Sequence, residues 1–375
     1  MSDERIFGDF IEWLNQTWFK VPDAEELLPL LRARYTQEEA EFLTGMPFSG
    51  RSLTELVEMK QADRSELEAK LDGLARKGLV FRRVKDGEPR YSLNDAYFVF
   101  LRSTFWPDRD DDTLKAIAPH ANKYFYNGFY DQYAKAHHKG LRTVHINKTV
   151  EDPRVVLPYE DVVKIVDERQ YWCVTQCACR HRKNLDPDSP DCDLPMEACL
   201  HFDALARYIV DNGMGREISR DEAHEILKES AEAGLVHGAS SWRDGVDTIC
   251  NCCKCCCVWM EAYHILGHTR SLDPSNYRVR TDSEKCKGCG LCVERCPMEG
   301  LRLEESESAG NRPGKVAVLT PERCIGCGVC VYKCPSDGLV LERRAETTVP
   351  PKDAREYIRL FDAECRESTE GPNKK

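Results

Sequence analysis

The sequence predicts an α+β protein of several domains, and three observations point there. The stretch from Cys286 to Pro335 carries one cysteine pattern twice. Residues from about 36 to 95 pass through three helical segments into two short strands. Between these regions lie eleven more cysteines, set among helical and extended segments. A chain of 375 residues has room for two or three domains.

The repeat reads Cys286-Lys-Gly-Cys289-Gly-Leu-Cys292-Val-Glu-Arg-Cys296-Pro297, then Cys324-Ile-Gly-Cys327-Gly-Val-Cys330-Val-Tyr-Lys-Cys334-Pro335. Each half is C-x2-C-x2-C-x3-C-P. The halves also match at Glu284 and Glu322, Val293 and Val331, and Gly300-Leu301 and Gly338-Leu339. Three cysteines two residues apart lie on one tight loop, so their thiolates can grip one body from one side. The glycines at 288, 290, 326 and 328 are expected to let the backbone approach inorganic sulfide without a Cβ clash. Inward amides would then donate to sulfur, and Pro297 and Pro335 would turn the chain. Zinc knuckles are the competing reading, but zinc sites usually come as separated C-x2-C pairs.

These residues resemble the two-cluster bacterial ferredoxins, over roughly Thr281 to Leu341. The resemblance implies two [4Fe–4S] clusters with crossed ligation. Cys286, Cys289, Cys292 and Cys334 would hold one, and Cys324, Cys327, Cys330 and Cys296 the other. It also implies a pseudo-two-fold domain that carries single electrons between a donor and an acceptor, with no catalytic residue of its own.

Net charge is −11 and the pI is near 5.5, which argues against a polyanion as the main partner. The chain shows no basic start followed by an apolar run and no stretch of 18 apolar residues. Twenty cysteines without such a leader point to a reducing, cytoplasmic setting, metal ligation rather than disulfides, and an anaerobic host.

Taken in order, residues 1–35 hold Ile6, Phe7, Phe10, Ile11, Trp13, Leu14, Trp18 and Phe19 at helical spacing, a core-facing amphipathic helix. Residues 36–95 form a second unit. Thr36-Gln-Glu-Glu39 reads as a capping box, Ser52 and Asp63 open two further helices, and Asp86-Gly87 marks a hairpin. This order is similar to the winged-helix family. The third helix is nearly neutral, and the wing carries Arg82, Arg83, Lys85 and Arg90, so docking outweighs DNA binding. Residues 96–275 form a helical, cysteine-rich domain whose aromatic first half supplies a core. His137-His138 reads as a solvated pair, and residues 155–157 as a strand. Residues 276–345 are the ferredoxin-like domain. Residues 346–375 are a short helix from Ala354 and a frayed tail, with Cys365 incidental.

Within the middle, Cys173, Cys177 and Cys179 precede Arg180-His181-Arg182. Cys192 and Cys199 follow in a proline-containing loop, and Cys250, Cys252, Cys253, Cys255, Cys256 and Cys257 crowd eight residues. Adjacent cysteines pair only with strain, so soft-metal ligation is the economical reading. The candidate ligands are Cys173, Cys177, Cys179 and Cys250 to Cys257, holding one or more further [4Fe–4S] clusters. A zinc site and redox-active thiols are the alternatives. Arg180, His181 and Arg182 could offset cluster charge, bind an anion, or form a solvated turn. Ser230 to Val236 echoes Leu74 to Val80.

Together these point to an electron-transfer protein that works between redox partner proteins, with the N-terminal and central regions as docking surfaces and relay. The alternatives are a redox-responsive winged-helix DNA regulator and a reductase subunit or reductive activator.

Overall fold

The computed structural model describes residues 3–145, 149–150, 152 and 156–369. Among these, thirteen strands form four sheets. The first helix, Asp3–Leu14, buries Ile6, Phe7, Phe10 and Leu14. It stops earlier than the periodicity predicts. Trp18 and Phe19 lie past its end and pack on Phe361 of the last helix, Ala354–Thr369.

The next unit begins with a short helix, Gln37–Leu43, closed by the expected capping box between Thr36 and Glu39. Ser52 and Glu55 form a second box on helix Leu53–Lys60, and Asp63 caps helix Arg64–Arg76. Strands β2 (Val80–Lys85) and β3 (Glu88–Leu93) pair through a two-residue turn. Both turn residues, Asp86 and Gly87, have positive φ, the geometry that twisted hairpins favour. A short strand that periodicity does not reveal, β1 (Arg51–Ser52), adds to the far edge of β3. Two residues cannot show a period of two.

The central domain is a six-stranded antiparallel sheet in the order β4 (Leu141–Thr143), β8 (Val236–Ser240), β9 (Thr248–Cys252), β6 (Glu197–Phe202), β5 (Trp172–Gln176), β7 (Arg216–Ile218). Helix Arg220–Glu232 covers one face through Ala223, Ile226 and Leu227, which meet Val174, Leu200 and Ile249. The echo noted between residues 230–236 and 74–80 is structural. In each case a glycine with positive φ, Gly234 or Gly78, ends the helix. The next amide then reaches back, Leu235 to Ser230 and Leu79 to Leu74. The predicted strand at 155–157 falls partly on residues outside those described, and 156–157 are not in a strand.

One apolar core runs from the N-terminal helices through the aromatic segment to Trp259 and back to Tyr357 and Phe361. Tyr133 stacks on Trp259 at 4.2 Å between ring centroids, and Phe19 on Phe129 at 4.6 Å. The aromatic residues therefore join the segment after the first helix, helix Val258–His264 and the last helix. His138 is not solvated: its Nδ1 lies 2.6 Å from Glu364, on that last helix.

The C-terminal region contains two hairpin-like sheets, β10 (Tyr277–Thr281) with β13 (Leu339–Arg343), and β11 (Leu301–Glu305) with β12 (Lys315–Leu319). It docks on the central domain through the end of helix Arg220–Glu232. At that end Arg295 donates to the carbonyls of Ala231 and Glu232 at 2.9 and 3.2 Å. Lys333 pairs with the Glu232 carboxylate. A second contact brings His264 Nε2 within 2.8 Å of the Pro297 carbonyl.

Candidate metal centres

In the C-terminal region each cysteine loop bends through two glycines with positive φ, Gly288 and Gly290 in one and Gly326 and Gly328 in the other. At three of them a contact within the protein also calls for glycine. A Cβ on Gly326 would lie 2.2 Å from the Tyr277 carbonyl, and one on Gly288 would lie 2.7 Å from the Lys315 carbonyl. On Gly328 it would lie 2.8 Å from Thr149 Oγ1. The obstacle in each case is a neighbouring segment of the protein itself. Only Gly290 is free of a close neighbour, the nearest being Leu303 at 3.6 Å.

The loops gather the eight cysteines into two groups. The Cys292 thiol is pushed up to about 11 by burial and then by Cys286, Cys289 and Cys334. Burial raises Cys330 too, followed by Cys327, Cys296 and Cys324. Each neighbourhood thus joins the three cysteines of one loop to the fourth cysteine of the other. Cys292 also acts on Cys330, so the quartets adjoin. Cys296 Sγ accepts from the Gly300 amide at 3.2 Å, an amide–sulfur bond of the kind that tunes a cluster. A cavity bounded by Cys296, Cys324, Cys327 and Cys330 stands where a cluster would sit. The quartet with exposed Cys289 lies outermost; the one with buried Cys330 lies towards the central sheet.

All twenty cysteines are free thiols. In the central domain the structure sorts eleven of them into three environments. Cys173, on β5, sits in the apolar core, and burial alone raises it to about 12. Six others close a ring. Cys177 touches Cys179 and Cys199, Cys250 touches Cys199 and Cys252, and Cys257 touches Cys179 and Cys252. Around the ring the shifts alternate. Cys177, Cys250 and Cys257 are held low by hydrogen bonds from their two thiol neighbours, and Cys179, Cys199 and Cys252 are pushed high by the converse.

Tertiary structure assembles this ring from distant pieces. Cys177 precedes helix Ala178–Asn184, which carries Cys179. Cys250 and Cys252 share one face of β9, two residues apart. Leu200 pairs with Ile249, so Cys199 on β6 falls beside Cys250. Cys257 stands immediately before helix Val258–His264, whose first-turn amides at Met260 and Trp259 help to hold its thiol low. A cavity opens against the ring, lined also by Tyr97, Arg102, Trp106, Arg180 and Trp259.

Two cations flank the ring. Arg180 is fully buried, which opposes its charge, but Cys177, Cys253 and Cys199 outweigh burial and hold it above its ordinary value. It donates to the Asn251 carbonyl at 3.0 Å, while its Nε and second terminal nitrogen have no oxygen or nitrogen partner. Unpaired donors beside thiols suit a bound group rich in sulfur. Arg102 is likewise held charged against burial by Tyr97, Cys250, Asp247 and Asp95. The solvated reading of Arg180-His181-Arg182 fails, because all three are buried. His181 lies 2.8 Å from each of the Phe105 and Arg109 carbonyls. Arg182 and Lys183 meet the buried Glu261 at 3.2 and 2.7 Å.

The remaining four thiols, Cys192, Cys253, Cys255 and Cys256, form a tighter group with all Sγ atoms within 4.8 Å of one another. Sequence reasoning missed Cys192 and Cys199 as candidate ligands, because nothing in a proline-containing loop announces what it folds against. Arg102 was missed too, and no motif marks it.

Residues 285–337 match the family of 4Fe-4S dicluster domains. No curated protein and no solved structure matches the chain. The C-terminal region is thus an iron–sulfur dicluster domain, attached to a cysteine-rich domain in which four thiols lie close enough together to hold a metal ion. Among the described residues, no helix is long and apolar enough to cross a membrane.

Proposed function

We propose that this protein carries single electrons between redox partner proteins through two [4Fe–4S] clusters and a further iron–sulfur centre in the central thiol ring. The observation that carries this reading is the arrangement of the three thiol groups. One quartet has the exposed Cys289, the other adjoins it, and the ring lies in the domain on which both dock. Cys257 of the ring opens the helix whose His264 reaches the Pro297 carbonyl, next to Cys296 of the inner quartet. Once loaded, the clusters supply one-electron redox chemistry. The chain's own residues hold sulfur, donate amide and guanidinium hydrogen bonds, and exclude water from the inner positions.

Anaerobic purification with iron and sulfide quantification, followed by a redox titration, tests this. About eight irons correspond to the dicluster domain alone, and about twelve or more to a loaded ring. Clusters that remain oxidised down to about −700 mV would end the electron-carrier reading.

The helix and hairpin order of residues 36–95, with β1 completing the sheet, supports a winged-helix unit used for docking. For DNA, the cations are largely committed elsewhere. Arg82 pairs with Asp72 at 3.0 Å, Lys70 with Glu38 at 2.9 Å, and Lys77 with Glu39. Arg90 lies 3.7 Å from Glu55. A basic stripe for phosphates needs free cations, which leaves this unit better suited to protein contact.

A further inference from the structure

We propose that Cys192, Cys253, Cys255 and Cys256 bind one zinc ion as a closed four-thiolate site, separate from every iron–sulfur centre. Spacing carries the argument. Four thiolates on one tetrahedral zinc, at Zn–S of roughly 2.3 Å, lie about 3.8 Å apart. Here Cys192 Sγ and Cys255 Sγ are 3.5 Å apart, Cys255 Sγ and Cys256 Sγ 3.7 Å, and no pair exceeds 4.8 Å. A cubane puts each thiolate on a different iron, so its thiolates stand farther apart than thiolates sharing one ion.

The same molecule provides the control. Among the described residues, neither dicluster quartet nor the six-thiol ring brings three thiols within that mutual distance. The ring is wide and hollow; the quartet is compact. Two thiol groups a residue apart, at Cys252 and Cys253, are therefore built for bodies of different size.

The surroundings are those of a structural ion. Cys192, Cys253 and Cys256 are buried with Leu235, and Leu194 and Ala233 pack against them. Asn184 fixes the Cys192 backbone from both sides, accepting from its amide at 3.2 Å and donating to its carbonyl at 3.3 Å. Arg180 reaches Cys253 and offsets the charge of four thiolates around a divalent ion. Such an ion ties the loop carrying Cys192 to the turn after β9, and that turn positions Cys252 and Cys257 in the ring. It also sets Lys254, which lies 3.7 Å from Glu299 of the dicluster domain.

The test is zinc, iron and sulfide analysis of the full-length protein, purified anaerobically with zinc and iron both in the medium, beside Cys255→Ser and Cys192→Ser. One zinc per chain is expected in the parent and none in the variants, with the iron-to-sulfide ratio unchanged. Zinc-edge X-ray absorption on the parent is expected to show four sulfurs at about 2.3 Å, and it reads the site even if a variant fails to fold. A parent without zinc, or zinc bound through nitrogen or oxygen, overturns the proposal. So does a folded Cys255→Ser variant that keeps its zinc but loses iron. Failure here leaves the electron-transfer reading intact, since that reading is judged by iron and its potential.

Discussion

The dicluster domain and the central domain both collect cysteines, but they do so by different means. In the dicluster domain the ligands are local. Three of each four come from one loop, and two glycines with positive φ shape it. In the central domain the cysteines come from segments remote in the chain. Strands β6 and β9, two helix starts and a loop each contribute, and buried cations stand among the thiols. A local site depends on backbone conformation; a remote one depends on the tertiary fold and on buried charge. Disturbing each in turn can break or sharpen this comparison.

The largest effect is expected from Glu261→Ala. This carboxylate is the buried counter-ion of Arg182 and Lys183 and also accepts from Tyr126 at 2.7 Å. Removing it strands two buried cations, and a loss of about 3–5 kcal/mol is expected in chemical denaturation. Iron should fall in the ring before it falls in the dicluster domain. Equal stability in variant and parent would show that buried charge does not hold the central domain together.

Gly326→Ala comes next. The added methyl meets the Tyr277 carbonyl at 2.2 Å in a positive-φ position, and about 2–4 kcal/mol should be lost, confined to the dicluster domain. Gly290→Ala has the same backbone cost without the collision, so about 1 kcal/mol is expected. If the two alanine variants melt alike, the close approach of the neighbouring chain is not what demands glycine. The smallest effect on stability is expected for Arg180→Gln. Taking a cation from beside the ring should lower the potential of a centre held there by tens of millivolts, with the dicluster potentials unmoved. Electron paramagnetic resonance during a redox titration separates the signals.

The difference between the regions also governs how legible each was. The two three-cysteine loops, the capping box at Thr36 and the turn at Asp86-Gly87 are interactions between near neighbours in the chain, so residue type and spacing express them directly. The sorting of the central cysteines is not of that kind. Cys192 and Cys255 are 63 positions apart, and no periodicity links them. Cys173 lies four residues before Cys177 and reads as a ligand by spacing, yet its strand turns it into the apolar core. Arg180 and Arg182 look like surface residues by type, and burial among thiols and carboxylates is what keeps them inside.

The sequence by itself determined that the C-terminal region repeats a cluster-binding loop, that the middle is rich in thiols, and that helices precede a hairpin near the start. Each is a statement about residues close enough along the chain to constrain one another. Tertiary structure alone decided that the central thiols divide into a hollow ring and a compact quartet, and that the end of helix Arg220–Glu232, His264 and Lys254 meet the dicluster domain. Thiol spacing in space is set by strand register and helix placement, and those follow from the packing of one shared core rather than from any local pattern.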